Sequence, residues 1–186
     1  MVGMESLSHK TAAVIIPPQS AWASIQAIRR THDRKVGRWM PHITLIYPFL
    51  PRSQFERMSK QLAAACKSVR PFEIELTKFD QFGHGKGYYT LWLAPEPAEP
   101  VLDLHASLCP IVYEDAYDLD HAIWNFTPHL SVGRARGTAN MVDLLQELQA
   151  HWSPIRFRVD SVQLIYRNDR PDDAFRVDRS LPLRGR

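Results

Sequence analysis

Apolar residues alternate with polar ones in several short stretches and recur at three- and four-residue spacing between them, so the chain reads as strands interleaved with helices. The run Ala12 to Ile16, closed by Pro17-Pro18, predicts a first strand, and Ala21 to Thr31 carries Trp22, Ile25 and Ile28 at helical spacing. Ser53 to Val69 predicts a helix with Phe55, Met58, Leu62 and Cys66 along one face. Phe72 to Phe79 and Tyr88 to Ala94 predict strands flanking the hairpin loop Gly83-His84-Gly85-Lys86-Gly87. After the proline-punctuated break at Pro95, Pro97 and Pro100, Val101 to Leu108 predicts a helix and Pro110 to Asn125 an acidic, aromatic loop. Thr138 to Trp152 then predicts a helix turning Met141, Leu144, Leu145 and Leu148 inward, and Ile155 to Tyr166 one long alternating strand. Asn168 to Asp173 reads as a polar turn and Ala174 to Leu181 as a last strand.

Within this pattern one unit occurs twice. Pro41-His42-Ile43-Thr44-Leu45 and Pro128-His129-Leu130-Ser131-Val132 are short strands in which a hydroxyl follows a histidine by two positions. Alternate side chains of a strand share a face, so each unit shows histidine and hydroxyl on one side and apolar residues on the other. Each is preceded at a few residues by a tryptophan, Trp39 or Trp124, and followed by a helix, a proline (Pro71 or Pro154) and an alternating strand. An internal duplication is the economical reading, with two βαβ-like lobes bringing the two motif strands to a common cleft.

Two His-x-hydroxyl-hydrophobic strands of this kind, "PHITLIYPF" and "TPHLSVGR", resemble the motif strands of the two-histidine (2H) phosphoesterase superfamily, which includes the 2′-5′ RNA ligase-like proteins and cyclic phosphodiesterases. The resemblance spans most of the chain. It implies a bilobal α+β fold with a pseudo-twofold duplication, antiparallel or mixed sheets lining a central cleft and helices outside, in one domain over residues 1–186. It also implies phosphodiester chemistry without a metal or other cofactor, on a nucleotide 2′,3′-cyclic phosphate, a 2′-5′ linkage or an RNA end.

The residues fit that chemistry on their own account. A phosphodiester needs a base for the attacking oxygen, an acid for the leaving one and donors for the charge on the non-bridging oxygens. Histidine, ordinarily titrating near 6.5, lets one imidazole be neutral while another is protonated near neutrality. His42 and His129 are therefore the expected acid and base, in an order that the sequence leaves open, and Thr44 and Ser131 the expected phosphate donors. Arg134 follows the second motif and is a candidate for neutralising phosphate, although strict alternation puts it on the face opposite His129 unless the strand ends or bulges at Gly133. Tyr47 stands in the matching place after the first motif. Tyr89 and Trp124 are the aromatics singled out for stacking on a base.

Composition narrows the partners without adding chemistry. In 186 residues, 23 Lys and Arg against 20 Asp and Glu leave a net charge of +3, suited to an anionic ligand, and no basic run of the kind that tracks long nucleic acid is present. A small nucleotide or RNA end fits better than a duplex. Cys66 and Cys109 sit far apart in apolar stretches and read as buried thiols. No segment reads as a signal peptide or a membrane span, so a soluble cytoplasmic monomer is expected. His9, His32, His105, His121 and His151 lack recurring partners, and His84 reads as part of a flexible turn. A non-catalytic RNA- or nucleotide-binding module is the rival reading, and a metal-dependent phosphodiesterase a weaker one for want of a His/Asp ligand cluster.

Overall fold

Strands β2 (Ile43–Ile46) and β5 (Leu130–Arg136), which carry the two motifs, lie side by side and antiparallel at the centre of the molecule, paired at Ile43 and Leu130. The computed structural model describes residues 7–113 and 116–185. The other strands are β1 (Thr11–Ile15), β3 (Phe72–Gly83), β4 (Tyr88–Glu96), β6 (Ile155–Val159), β7 (Ser161–Tyr166) and β8 (Arg176–Pro182). The helices are α1 (Trp22–His32), α2 (Phe55–Ser68), α3 (Glu99–Val112), α4 (Ala116–Trp124) and α5 (Thr138–Ala150). Together the strands form one eight-stranded sheet, in the order β6-β3-β4-β5-β2-β1-β7-β8, with every described pairing antiparallel. The motif strands thus divide it into two four-stranded lobes.

The apolar sides of β2 and β5 explain where the core lies. Ile43, Leu45, Leu130 and Val132 are at most 2% exposed and join one large cluster with Ile25 of α1, Phe55 and Leu62 of α2 and Leu104 and Leu108 of α3. Burying these side chains drives the helices onto one side of the sheet, which leaves His42, Thr44, His129 and Ser131 facing away from the core. β1 is buried throughout because its faces serve two clusters: Ala13 and Ile15 join the main core, while Ala12 and Val14 pack with Ile165 and Phe175. Its unbroken apolar run is the signature of a strand covered on both sides.

Two expectations change. The predicted strand Ile155 to Tyr166 divides at Asp160. β6 pairs with β3 at one edge of the sheet, and β7 pairs with β1 far along the order. A single residue spanning these positions means that the sheet curls strongly, bringing its ends together. Asp160 suits the break: strands disfavour it, its carboxylate accepts from Ser161 Oγ at 2.8 Å and its carbonyl accepts Leu183 N–H at 2.8 Å. The predicted loop Pro110 to Asn125 is largely helical, since the buried face Leu104, Leu108, Cys109 and Val112 carries α3 through Pro110, and α4 then packs on α3. Glu114 and Asp115, part of that predicted loop, lie outside the described residues.

Candidate active site

The antiparallel pairing of Ile43 with Leu130 sets His42 beside Ser131 and Thr44 beside His129, so the histidines stand diagonally across the seam between the lobes. Both line one cavity of about 380 Å³. Their orientation is fixed in the same way on both strands: His42 Nδ1 bonds the Met40 carbonyl at 2.7 Å, and His129 Nδ1 bonds the Thr127 carbonyl at 2.8 Å. A carbonyl only accepts, so Nδ1 carries the proton in each ring and Nε2 is the nitrogen left for the cavity.

The matching continues into the backbone irregularities. Opposite β1, Leu45 is an extra residue between the Val14–Thr44 and Ala13–Ile46 pairs; opposite β4, Val132 is an extra residue between the Trp92–Ser131 and Leu91–Gly133 pairs. Each bulge falls three positions after its histidine and reverses the alternation that follows. Arg134 therefore returns to the side of His129 and Ser131 and lines the cavity, as does Tyr47 after β2. The break in phase that the alternation pattern requires before Arg134 thus falls at Val132, one residue ahead of Gly133.

Aromatic rings hold each imidazole from the side. Trp39 stacks on His42 with ring centroids 4.8 Å apart, and Phe175 stacks behind Trp39 at 3.7 Å. His129 meets Phe82 edge-on at 4.9 Å and Trp92 at 5.9 Å. This burial pushes His42 from its ordinary 6.5 down to about 4, against the pull of the Met40 carbonyl, with the Arg29 guanidinium and His129 adding to the fall and Asp33 opposing it. Burial also holds His129 below its ordinary value, again opposed by its backbone carbonyl.

Several wall residues escape the motif reading. Arg29 is only 2% exposed; its Nε and Nη2 donate to Asp33 Oδ2 at 3.0 and 2.8 Å, and its Nη1 donates to Gln26 Oε1 at 3.1 Å. A visible signal existed, because Arg29 falls four residues after Ile25 on the apolar stripe of α1, with Asp33 four further on. His84 and Thr90 also line the cavity, joined Nε2 to Oγ1 at 2.8 Å, so the hairpin histidine is a wall residue as well as a turn residue. Gly133 permits this arrangement: a Cβ there would lie 2.5 Å from His32 Cβ, so glycine lets the end of α1 reach β5 and present Arg29 and Asp33.

Other expected site residues lie elsewhere. Thr44 is half-buried and is not among the cavity-lining side chains, whereas Ser131 is. Tyr89 shares a hydrogen bond with Thr138 Oγ1 at 2.8 Å and lines a neighbouring cavity with His84, Lys86 and Arg134. Trp124 closes α4 at 83% exposure, away from the histidines, because the segment before the second motif is a helix packed on α3 rather than a loop over the cleft. Cys66 and Cys109 are free, buried thiols, and burial pushes them up to about 11 and about 12. Among the described residues no three His, Cys, Asp or Glu side chains gather as a metal site, and no helix is long and apolar enough to cross a membrane.

Comparison with known proteins bears on the family and the fold. The 2′-5′ RNA ligase superfamily pattern matches residues 17–171. A Geobacillus kaustophilus protein provisionally named a phosphoesterase is 27% identical over 158 residues, covering 84% of this chain and 87% of that protein. The fold is shared with TT0787 of Thermus thermophilus at a TM-score of 0.63 and 17% identity, covering 95% of this chain and 98% of that one. Escherichia coli LigT complexed with phosphate gives a TM-score of 0.61 at 16% identity, covering 96% and 99%, and LigT has also been crystallised with 3′-AMP.

Proposed function

Because the chain belongs to the 2′-5′ RNA ligase superfamily, within which its family and fold mark it as a phosphoesterase, we propose that it is a metal-independent phosphodiesterase acting on a nucleotide 2′,3′-cyclic phosphate, a 2′-5′ linkage or a related RNA end. The observation that carries this reading is the diagonal pair of imidazoles across one cavity, each held by a backbone carbonyl at Nδ1 with Nε2 left over. That LigT takes phosphate and a nucleotide monophosphate supports the ligand class.

Burial keeps both rings neutral at pH 7, and the anion that must enter supplies the field that protonates one of them. Arg29 disfavours charge on His42, so the proton falls to His129. His42 Nε2 then accepts the proton of an attacking water as its oxygen bonds to phosphorus. His129 Nε2 gives its proton to the departing ribose oxygen as the ring P–O bond breaks, and Ser131 and Arg134 donate to the non-bridging oxygens. With the hydroxyl of a second RNA end in place of water, the same steps in the same direction join two ends, and their reversal cleaves that linkage back to a cyclic phosphate, so hydrolysis and ligation are two outcomes of one site that differ in the attacking oxygen.

The test is to incubate the protein with cyclic phosphates, 2′-5′ and 3′-5′ dinucleotides and short RNAs, with and without excess EDTA. Turnover that survives EDTA and falls on both sides of a pH optimum is expected, the two limbs belonging to the coupled pair of histidines. Loss of activity in EDTA with recovery on adding a divalent ion would replace the mechanism with a metal-dependent one. Nucleotide binding without product on any substrate would make the cleft a binding module.

A further inference from the structure

Three cavities meet at Arg134. Besides the histidine cleft and the one beside Tyr89, a groove of about 590 Å³ runs between the end of α1 and the ends of β4 and β5, sharing Asp33 and Arg134 with the cleft. Arg30 and Arg34 come from the α1 side, Arg134 and Arg136 from β5, and all four are exposed. None of them enters an ion pair among the described residues, although cations elsewhere are matched, as in Arg52 with Asp178, Arg156 with Glu73 and Arg179 with Glu56. Asp33 is the one carboxylate among the lining residues, and it is taken by Arg29. A helix C-terminus attracts cations in any case, which accounts for Arg30 but not for Arg34, Arg134 or Arg136.

The groove also has an aromatic platform. Tyr88 is 46% exposed at its rim, with the Arg136 guanidinium 5.2 Å over the ring. Arg134 and Arg136 project from the same side of β5, two residues and so about 7 Å apart along the strand, comparable to the step between successive phosphates of an extended single strand. Unpaired arginines at that repeat beside an exposed aromatic are how proteins track single-stranded nucleic acid, the cations meeting phosphates and the ring meeting a base.

We infer that this groove is a second phosphate-binding subsite, which holds the phosphodiester next to the reacting one and a neighbouring base on Tyr88, so that the preferred substrate is an oligonucleotide end rather than a mononucleotide. The inference rests on the reading of the cleft as a phosphoesterase site. It gives four of the chain's arginines a common purpose, on one track leading out of the cleft.

Wild type and the double variant Arg30→Gln/Arg136→Gln are compared on a mononucleotide 2′,3′-cyclic phosphate and on a fluorescently labelled pentanucleotide with the same end. Wild type should favour the pentanucleotide in kcat/KM by about tenfold or more, and the variant should lose that preference through KM while turning over the mononucleotide unchanged. Equal kcat/KM for both substrates in wild type, or a preference that survives in the variant, would overturn the subsite. If neither substrate turns over, it is the phosphoesterase reading that fails, and binding of the labelled pentanucleotide then decides the groove. Affinity about tenfold weaker in the variant, with the log–log salt slope shallower by about 0.7 for each arginine removed, supports a phosphate track; unchanged affinity and slope refute it.

Discussion

The strands β2 and β5 follow one plan for five residues and then part company. From Ile43 to Tyr47 and from Leu130 to Arg134 the sequence of buried, half-buried, buried, buried and exposed positions is identical, with a bulge at the same step. The histidines, their carbonyl partners and the phase of the strand are therefore common property. What differs is what the matching positions hold: Ile46 against Gly133, Tyr47 against Arg134, Thr44 off the cavity wall against Ser131 on it. The shared part supplies two imidazoles facing one space, and the unshared part makes the space asymmetric, with the Ser131 hydroxyl and the Arg134 guanidinium on the β5 side.

The largest effects should fall on what is shared. His42→Ala and His129→Ala are each expected to cost about a thousandfold or more in turnover, and the double variant far less than the product, since acid and base act as a unit. Circular dichroism should show both folds intact. A single variant with near-normal activity removes its histidine from the chemistry.

Next come the differences. Arg134→Gln should lower kcat/KM by roughly ten- to a thousandfold if the guanidinium meets charge in the transition state, while Tyr47→Phe, whose hydroxyl donates to the His9 carbonyl at 3.2 Å, should change it only a few-fold. Equal losses would mean that the site is more symmetric than its wall. By the same logic Ser131→Ala, expected to lose about ten- to a hundredfold, should hurt more than Thr44→Val. Gly133→Ala tests how α1 is placed. The added methyl lands 2.5 Å from His32 Cβ, so α1 must give way, costing about 1 to 3 kcal/mol in urea unfolding and displacing Arg29 and Asp33 enough to reduce kcat.

Local pattern made the motif strands, their helices and the histidine pair legible, because period-two and period-3.6 alternation and a repeated motif are properties of neighbouring residues. Arg134 was legible only conditionally: alternation predicts its face until a bulge intervenes, and a bulge depends on the partner strand. The division at Asp160 left only a faint signal. Ile155 to Val159 and Ser161 to Tyr166 each alternate, the apolar phase slipping by one residue at Asp160-Ser161, and only the pairing with strands at distant places in the sheet makes that slip a break. Trp124 misled because it precedes Pro128 by four residues as Trp39 precedes Pro41 by two, a loose likeness, while α4 carries it to the surface. Arg29, Asp33 and His84 reach the cleft from other elements, through contacts between segments that no single stretch encodes.

The smallest expected effect is on stability and reads the burial of His42. Burial lowers His42 to about 4, so between that value and its ordinary 6.5 the unfolded chain binds a proton that the folded chain does not. The stability linked to His42 is therefore complete above about pH 6.5 and is lost as the pH falls toward 4, where both states become protonated. Buried His105, also lowered to about 4, and His129, lowered by burial as well, act in the same direction and are common to every variant compared. A shift of this size corresponds to on the order of 1 to 3 kcal/mol for a half-buried ring. Urea unfolding of His42→Gln should thus show a shallower decline in stability from pH 6.5 to 4 than wild type. A slope equal to wild type would mean that His42 is not held neutral by its surroundings, and would remove the support that those surroundings give to naming it as the base.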